Sequence, residues 1–223
     1  PLAIETLSGR LELGQMDARW TRALFHDHEP TALWKRAFDI GAVLLLSPVL
    51  IVLSALVALV VWLDGGRPVL FWQDRVGLGG KPFSMVKFRT MRPDAESNGA
   101  AFASQGDPRV TRVGAFLRKF RLDELPQFWN VLRGEMSIVG PRPEQVVFAQ
   151  RFEQDIPLYE LRYRARPGIT GWAQVMNGYT AGEAETREKL CYDLYYIKNF
   201  SPLLDLLVLL KTVRIILTGF GAR

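Results

Sequence analysis

Hydrophobic and polar positions divide this chain into unequal stretches. From Ile40 to Leu63 no residue is charged, and Leu, Val, Ala and Ile dominate. That length suits a bilayer, which takes about 20 apolar residues. A helix apolar all round is unusual inside a small soluble domain. The pattern therefore predicts a membrane-inserted helix, spanning about 35–64 with its flanks. Ser47-Pro48 lies within the run. Proline removes a backbone donor and crowds the preceding turn, which predicts a kink or a break. The arm before it, of about 8 residues, reaches only ~12 Å. Lys35 and Arg36 precede the run, and Arg67 and Arg75 follow it. Basic flanks favour the cytoplasmic side at both ends. Two readings stand level on these grounds: a bent helix that enters and returns on one side, and a kinked helix that crosses.

Alternation takes over in residues 69–91, which predict two strands around a Gly-rich turn. The turn, "GLGGK", lacks the ending and spacing of a phosphate loop, so a hairpin is expected. In "KFRTM", Lys87 and Arg89 are two apart and would share one strand face. They could clamp a diphosphate or simply form a solvated basic face. Residues 93–108 are polar and small, hence a loop. "RVTRVGAFLRKF" then places Val113, Phe116, Leu117 and Phe120 at helical spacing, with Arg118 available on another face. This amphipathic helix suits a membrane surface or a core-facing position.

The stretch "RLDELPQ" sets Asp123 beside Glu124. Asp123 is a good helix N-cap, and Pro126 is tolerated in a first turn, with the helix ending at Gly134. The alternative is that the two acids hold a metal and attack a phosphate. "VGPRPE" fixes Arg142 between two prolines, in a turn or aimed at phosphate oxygens. "RPGITGWAQV" surrounds an exposed-looking Trp172 with turn residues. "CYDLYYIKNF" puts Asp193 in an aromatic helix. "SPLLDLLVLLKTVRIILTGF" predicts a closing helix with Lys211, Arg214 and Thr218 on one side and apolar residues opposite, an interfacial or buried terminal helix.

Charge and cysteine content narrow the classes. Lys and Arg total 28 against 23 acids, for a formal net charge of +5. The surplus favours anionic partners. No nucleic-acid motif accompanies it, so nucleic acid is not expected as a partner. One cysteine, Cys191, excludes an intramolecular disulfide. "HDH" at His26–His28 has no third ligand type nearby and reads as linker. The first residue is Pro1, as expected for part of a longer protein.

Taken in order, the Ser-Pro apolar run, "KFRTM", "LDELPQ", "VGPRP", "GITGWAQV" and "YDLYYIKN" resemble the bacterial monotopic phosphoglycosyl transferases, which initiate exopolysaccharide, capsule and O-antigen assembly. Each motif alone is weak; the ordered set is specific. The resemblance covers residues 31–223. Residues 1–30 resemble the linker that precedes this domain in large-form members, which carry further amino-terminal transmembrane helices. It implies an α+β, mainly helical, monotopic domain with a re-entrant helix-break-helix, amphipathic interfacial helices and a small β-hairpin. It also implies transfer of a sugar phosphate from a UDP-sugar to polyprenol phosphate with Mg²⁺, on the cytoplasmic face of the bacterial inner membrane, among membrane lipids. A homodimer is left open. By resemblance, Asp123 is the nucleophile and Glu124 the neighbouring acid that supports the metal. Lys87, Arg118 and Arg142 would line the phosphate site, and Arg89 and Asp193 are further candidates. The competing reading is a noncatalytic membrane scaffold whose basic face binds acidic lipid.

Overall fold

The computed structural model describes residues 8–11, 33–95, 106–177 and 183–218. His26, His28 and most of the 1–30 segment lie outside the described residues.

The apolar run becomes α1 (Leu33–Gly65), a 33-residue helix with Pro48 inside it. Helical structure continues through Ser47-Pro48, so no non-helical gap separates the two arms on either side of the proline. Pro48 has no N–H to offer the Leu44 carbonyl four residues back. The Ser47 hydroxyl donates to that carbonyl instead, at 2.7 Å. The Ser-Pro pair thus supplies its own repair. Only a narrow stripe of α1 faces inward: Lys35, Asp39, Val43, Val57 and Val61. Leu44, Leu45, Ile51, Val52 and Leu63 are among its exposed residues.

Both ends of α1 are fastened to the rest of the domain. At the start, the Lys35 ammonium lies 2.5 Å from Asp205, and Asp39 accepts from the Ile138 N–H at 3.1 Å. Arg36 donates to the carbonyls of Val131 and, at 2.7 Å, Leu132. At the far end, Arg89 donates to the carbonyls of Gly65 and Gly66 at 2.6 and 2.9 Å. Val57 and Val61 there share a cluster with Phe88 and Leu117.

Strands β1 (Leu70–Val76) and β2 (Pro82–Phe88) pair antiparallel, as expected. Gly79 and Gly80, at φ 64° and 76°, supply the left-handed turn between them. Helix α2 (Arg112–Lys119) is capped by Thr111, whose hydroxyl accepts from the Gly114 N–H at 2.9 Å. A Cβ on Gly114 would fall 2.0 Å from the Thr90 carbonyl oxygen, so only glycine lets α2 sit against the end of the hairpin. Helix α3 (Gln127–Arg133) presents Asn130 to β2. The Asn130 amide donates to the Ser84 carbonyl at 2.9 Å and accepts from the Val86 N–H at 3.2 Å.

Two three-residue strands, β3 (Ser137–Val139) and β4 (Gly168–Thr170), pair in parallel. Backbone meets backbone beside them: a Cβ on Gly140 would lie 2.2 Å from the Arg166 oxygen, and one on Gly168 would lie 2.1 Å from the Gly140 nitrogen. This contact ties "VGPRP" to "RPGITG". The main core forms around α4 (Val146–Asp155), α5 (Trp172–Met176), α6 (Glu183–Lys198) and α7 (Pro202–Thr218), with Tyr159, Leu194, Ile197 and Val208 buried together. The turn-rich setting of Trp172 had indicated exposure, and the structure corrects this. The residue is 6 % exposed, donates its indole N–H to the Gly9 carbonyl at 2.7 Å and stacks on Tyr195. The outward face of α7 is apolar, with Leu203, Leu206, Leu210 and Leu217 exposed.

Candidate active site

The acidic pair does not cap a helix. Asp123 and Glu124 sit inside a short 3-10 turn, Leu122–Glu124, with Arg121 in the left-handed region before it at φ 54°. The following helix takes Pro126 as its cap residue, with no side-chain cap bond. A left-handed L-residue costs roughly 1–2 kcal/mol. Here it brings the Arg121 guanidinium to 3.5 Å from Glu124 and turns both acids inward.

Glu124 is held by the Arg142 fork, with Nη2 donating to Oε1 at 2.6 Å and Nη1 to Oε2 at 3.3 Å. Two flanking prolines set the Arg142 backbone, and parallel pairing brings the Ile169 carbonyl to 3.5 Å from Nη1. Burial alone would raise the Glu124 pKa, but Arg142 and Arg121, with Lys87, hold it below the usual carboxylate range.

Asp123 is treated differently. It is 8 % exposed, and its carboxylate makes no hydrogen bond among the described residues. Burial, then the neighbouring Glu124 charge, pushes its pKa up to about 6, against the pull of Lys87, Arg118 and Arg142. Those three cations are the expected phosphate residues, and the fold does bring them around Asp123. Lys87 lies half-buried on β2, with its ammonium 5.2 Å from the centre of the Phe71 ring. Burial, then nearby Arg75, lowers its pKa to about 8. Arg118 reaches from α2 and donates to the Thr90 hydroxyl at 2.9 Å.

Two other candidates stand back from the acids. Arg89 points to the end of α1 rather than to Asp123. Asp193 is fully buried and accepts from Arg162 at 2.7 Å. Arg162 in turn donates to the Tyr159 hydroxyl and to the Arg142 carbonyl, both at 2.8 Å. Asp193 thus reaches the site only through Arg162, which holds the backbone of Arg142. Sequence reasoning assigned no role to Arg162 or Arg121. Arg121 opens the "RLDELPQ" stretch, two residues before Asp123. Arg162 had no signal among its neighbouring arginines.

The arrangement offers one carboxylate without hydrogen-bond partners among the described residues, a second one neutralised by arginine, and cations around the first. Such a set can bind a phosphoryl group and attack it. Residues 30–219 match the family described as bacterial sugar transferase. The chain belongs to that family.

Among relatives of this chain, the Aeromonas hydrophila "UDP-N-acetylgalactosamine-undecaprenyl-phosphate N-acetylgalactosaminephosphotransferase" is 48 % identical over 222 residues, 98 % of this chain and 52 % of that protein. The Caulobacter vibrioides "UDP-glucose:undecaprenyl-phosphate glucose-1-phosphate transferase" is 45 % identical over 85 % of this chain and 72 % of its own length. An Escherichia coli protein of the same name is 47 % identical over 81 % of this chain and 39 % of its own length. The chain therefore spans about half of the Aeromonas relative and less of the Escherichia one.

Proposed function

We propose that this protein transfers a sugar phosphate from a UDP-sugar to polyprenol phosphate in two steps, through a covalent intermediate on Asp123. The observation that carries the reading is the contrast within the acidic pair. Arg142 occupies both oxygens of Glu124, while Asp123 has no hydrogen bond among the described residues and lies amid Lys87, Arg118 and Arg142. The names of the relatives support the substrate classes.

An Asp123 oxygen attacks the sugar-bearing phosphorus. The new O–P bond forms as the bond to the bridging oxygen breaks, and UMP leaves with that electron pair. A phosphate oxygen of polyprenol phosphate then attacks the same phosphorus, and the Asp123 carboxylate departs with its own pair. Lys87, Arg118 and Arg142 hold the phosphate oxygens and oppose the growing charge. Arg142, bound to Glu124 before substrate arrives, is aimed in advance.

The residues present fit Mg²⁺ in a limited way. Among the described residues no group of three His, Cys, Asp or Glu could hold a metal alone. Magnesium is commonly held by one or two carboxylates plus substrate phosphates. Asp123 offers unengaged oxygens, and Glu124 would share an oxygen with Arg142. When bound, the ion would neutralise diphosphate charge.

The membrane reading is re-entrant. A straight 33-residue helix is ~50 Å long, against a hydrocarbon core of about 30 Å. A crossing helix would put its ends on opposite sides. Lys35, Arg36 and Asp39 at one end and Gly65 at the other bind the same domain. A helix bent at Ser47-Pro48 would dip into the inner membrane from the cytoplasmic face, beside the exposed leucines of α7.

The direct test supplies UDP-N-acetylgalactosamine or UDP-glucose, Mg²⁺ and undecaprenyl phosphate to the detergent-solubilised protein. UMP release that depends on the lipid for multiple turnovers is expected. A noncatalytic scaffold would release none.

A further inference from the structure

Gln127 lies one turn beyond the acidic pair. The backbone remains right-handed helical through Leu125 and Pro126 into α3. Positions 123, 124 and 127 are therefore related by three- and four-residue steps and fall on one side of the turn. All three side chains are buried, and Gln127 is 1 % exposed.

Neither polar atom of the Gln127 side chain, Oε1 or Nε2, has a hydrogen-bond partner among the described residues. One turn further on, the Asn130 amide is fully used, by Ser84, Val86 and Glu135. A buried amide without partners lowers stability, and an apolar side chain of similar shape would avoid that loss. The fold itself makes no use of the Gln127 amide. The unpartnered carboxylate of Asp123 lies one turn away on the same side.

We propose that Gln127 is a further substrate-contacting residue, and the proposal rests on the transfer reading above. Its Nε2–H donates to a non-bridging oxygen of the phosphate that Asp123 takes up. The bond is absent before the phosphate arrives, so it strengthens the transition state and intermediate rather than the resting site. A neutral donor also differs usefully from another cation. It adds a hydrogen bond to the phosphate without lowering the Asp123 pKa and without adding charge that would retain UMP.

Gln127→Met keeps the length of the side chain and removes both polar atoms. Three readouts apply to the detergent-solubilised protein: thermal midpoint, kcat and KM for UMP release, and the rate of adduct formation from UDP-sugar without lipid. The midpoint should rise, while kcat and the adduct rate fall by about tenfold or more and KM changes little. A lower midpoint, or failure to fold, would show a structural hydrogen bond and overturn the proposal. A higher midpoint with unchanged rates would show an amide that serves only a buried water, and would also overturn it. If the wild type releases no UMP, the transfer reading itself fails. If the wild type is active and Gln127→Met matches it, only this proposal fails.

Discussion

Asp123 and Asp193 are both buried aspartates among arginines, and the fold uses them in opposite ways. Asp193 gives its carboxylate to Arg162 at 2.7 Å, and Arg162 also donates to the Tyr159 hydroxyl and the Arg142 carbonyl. Asp123 has cations around it but no hydrogen bond among the described residues. A paired, sealed carboxylate braces structure. A desolvated carboxylate with no partner is poised to form a bond, at a cost to stability. The same contrast recurs within the acidic pair, where Arg142 and Arg121 hold Glu124 down while burial and the Glu124 charge push Asp123 up.

The largest expected effect breaks the contrast at Asp123. Asp123→Asn should lower transfer by at least roughly a thousandfold. Its stability should move the other way. A carboxyl whose folded pKa lies above its unfolded value contributes stability below the unfolded value, and that contribution is lost as pH rises through the folded one. The variant should therefore melt above wild type at pH 8 and lose that advantage near pH 4. Equal activity in the variant would return Asp123 to a structural role.

Arg162→Met attacks the other side of the comparison. It leaves Asp193 buried and unpaired, and roughly 3–5 kcal/mol of stability should go. Double replacement with Asp193→Leu should restore much of the midpoint, but not the hydrogen bond to the Arg142 carbonyl. If single and double variants melt alike, the pair is not the brace described here.

Arg142→Lys keeps the charge and loses the two-pronged grip on Glu124. Turnover should fall on the order of a hundredfold with little change in midpoint. Near-normal turnover would make the proline-flanked arginine a turn residue only.

The smallest effect is on pH dependence. In the proposed mechanism Asp123 attacks as the carboxylate, so kcat/KM should rise with pH up to about 6. In the same mechanism Lys87 holds phosphate as the ammonium, so kcat/KM should fall above about 8. Lys87→Arg should remove the alkaline limb. A profile flat across pH 5 to 9 would contradict both assignments.

Much of this was legible in the chain. The apolar run, the hairpin with its glycine turn and the amphipathic helix at Arg112–Lys119 follow from local periodicity, and the structure bears them out. The convergence of Lys87, Arg118 and Arg142 on Asp123 was expected from resemblance, and the fold brings them together. What the chain concealed depends on distant partners. The cap reading of Asp123 missed that Arg121 adopts the left-handed region and starts a separate 3-10 turn. Trp172 looked exposed among turn residues because its acceptor, Gly9, is 163 positions away. Asp193 could not be separated from the site without Arg162, 31 positions before it. Ser47 was read as half of a break, although its hydroxyl can replace the donor that Pro48 lacks.

The central claim is that Asp123 carries the sugar phosphate. Incubation of the protein with UDP-sugar and Mg²⁺, without polyprenol phosphate, followed by intact-mass and peptide analysis, tests it most directly. The account predicts an added mass equal to one sugar phosphate, mapped to Asp123, matched by one equivalent of UMP and discharged on addition of undecaprenyl phosphate. Efficient transfer with no adduct at all, or an adduct mapped to any other residue, would contradict it.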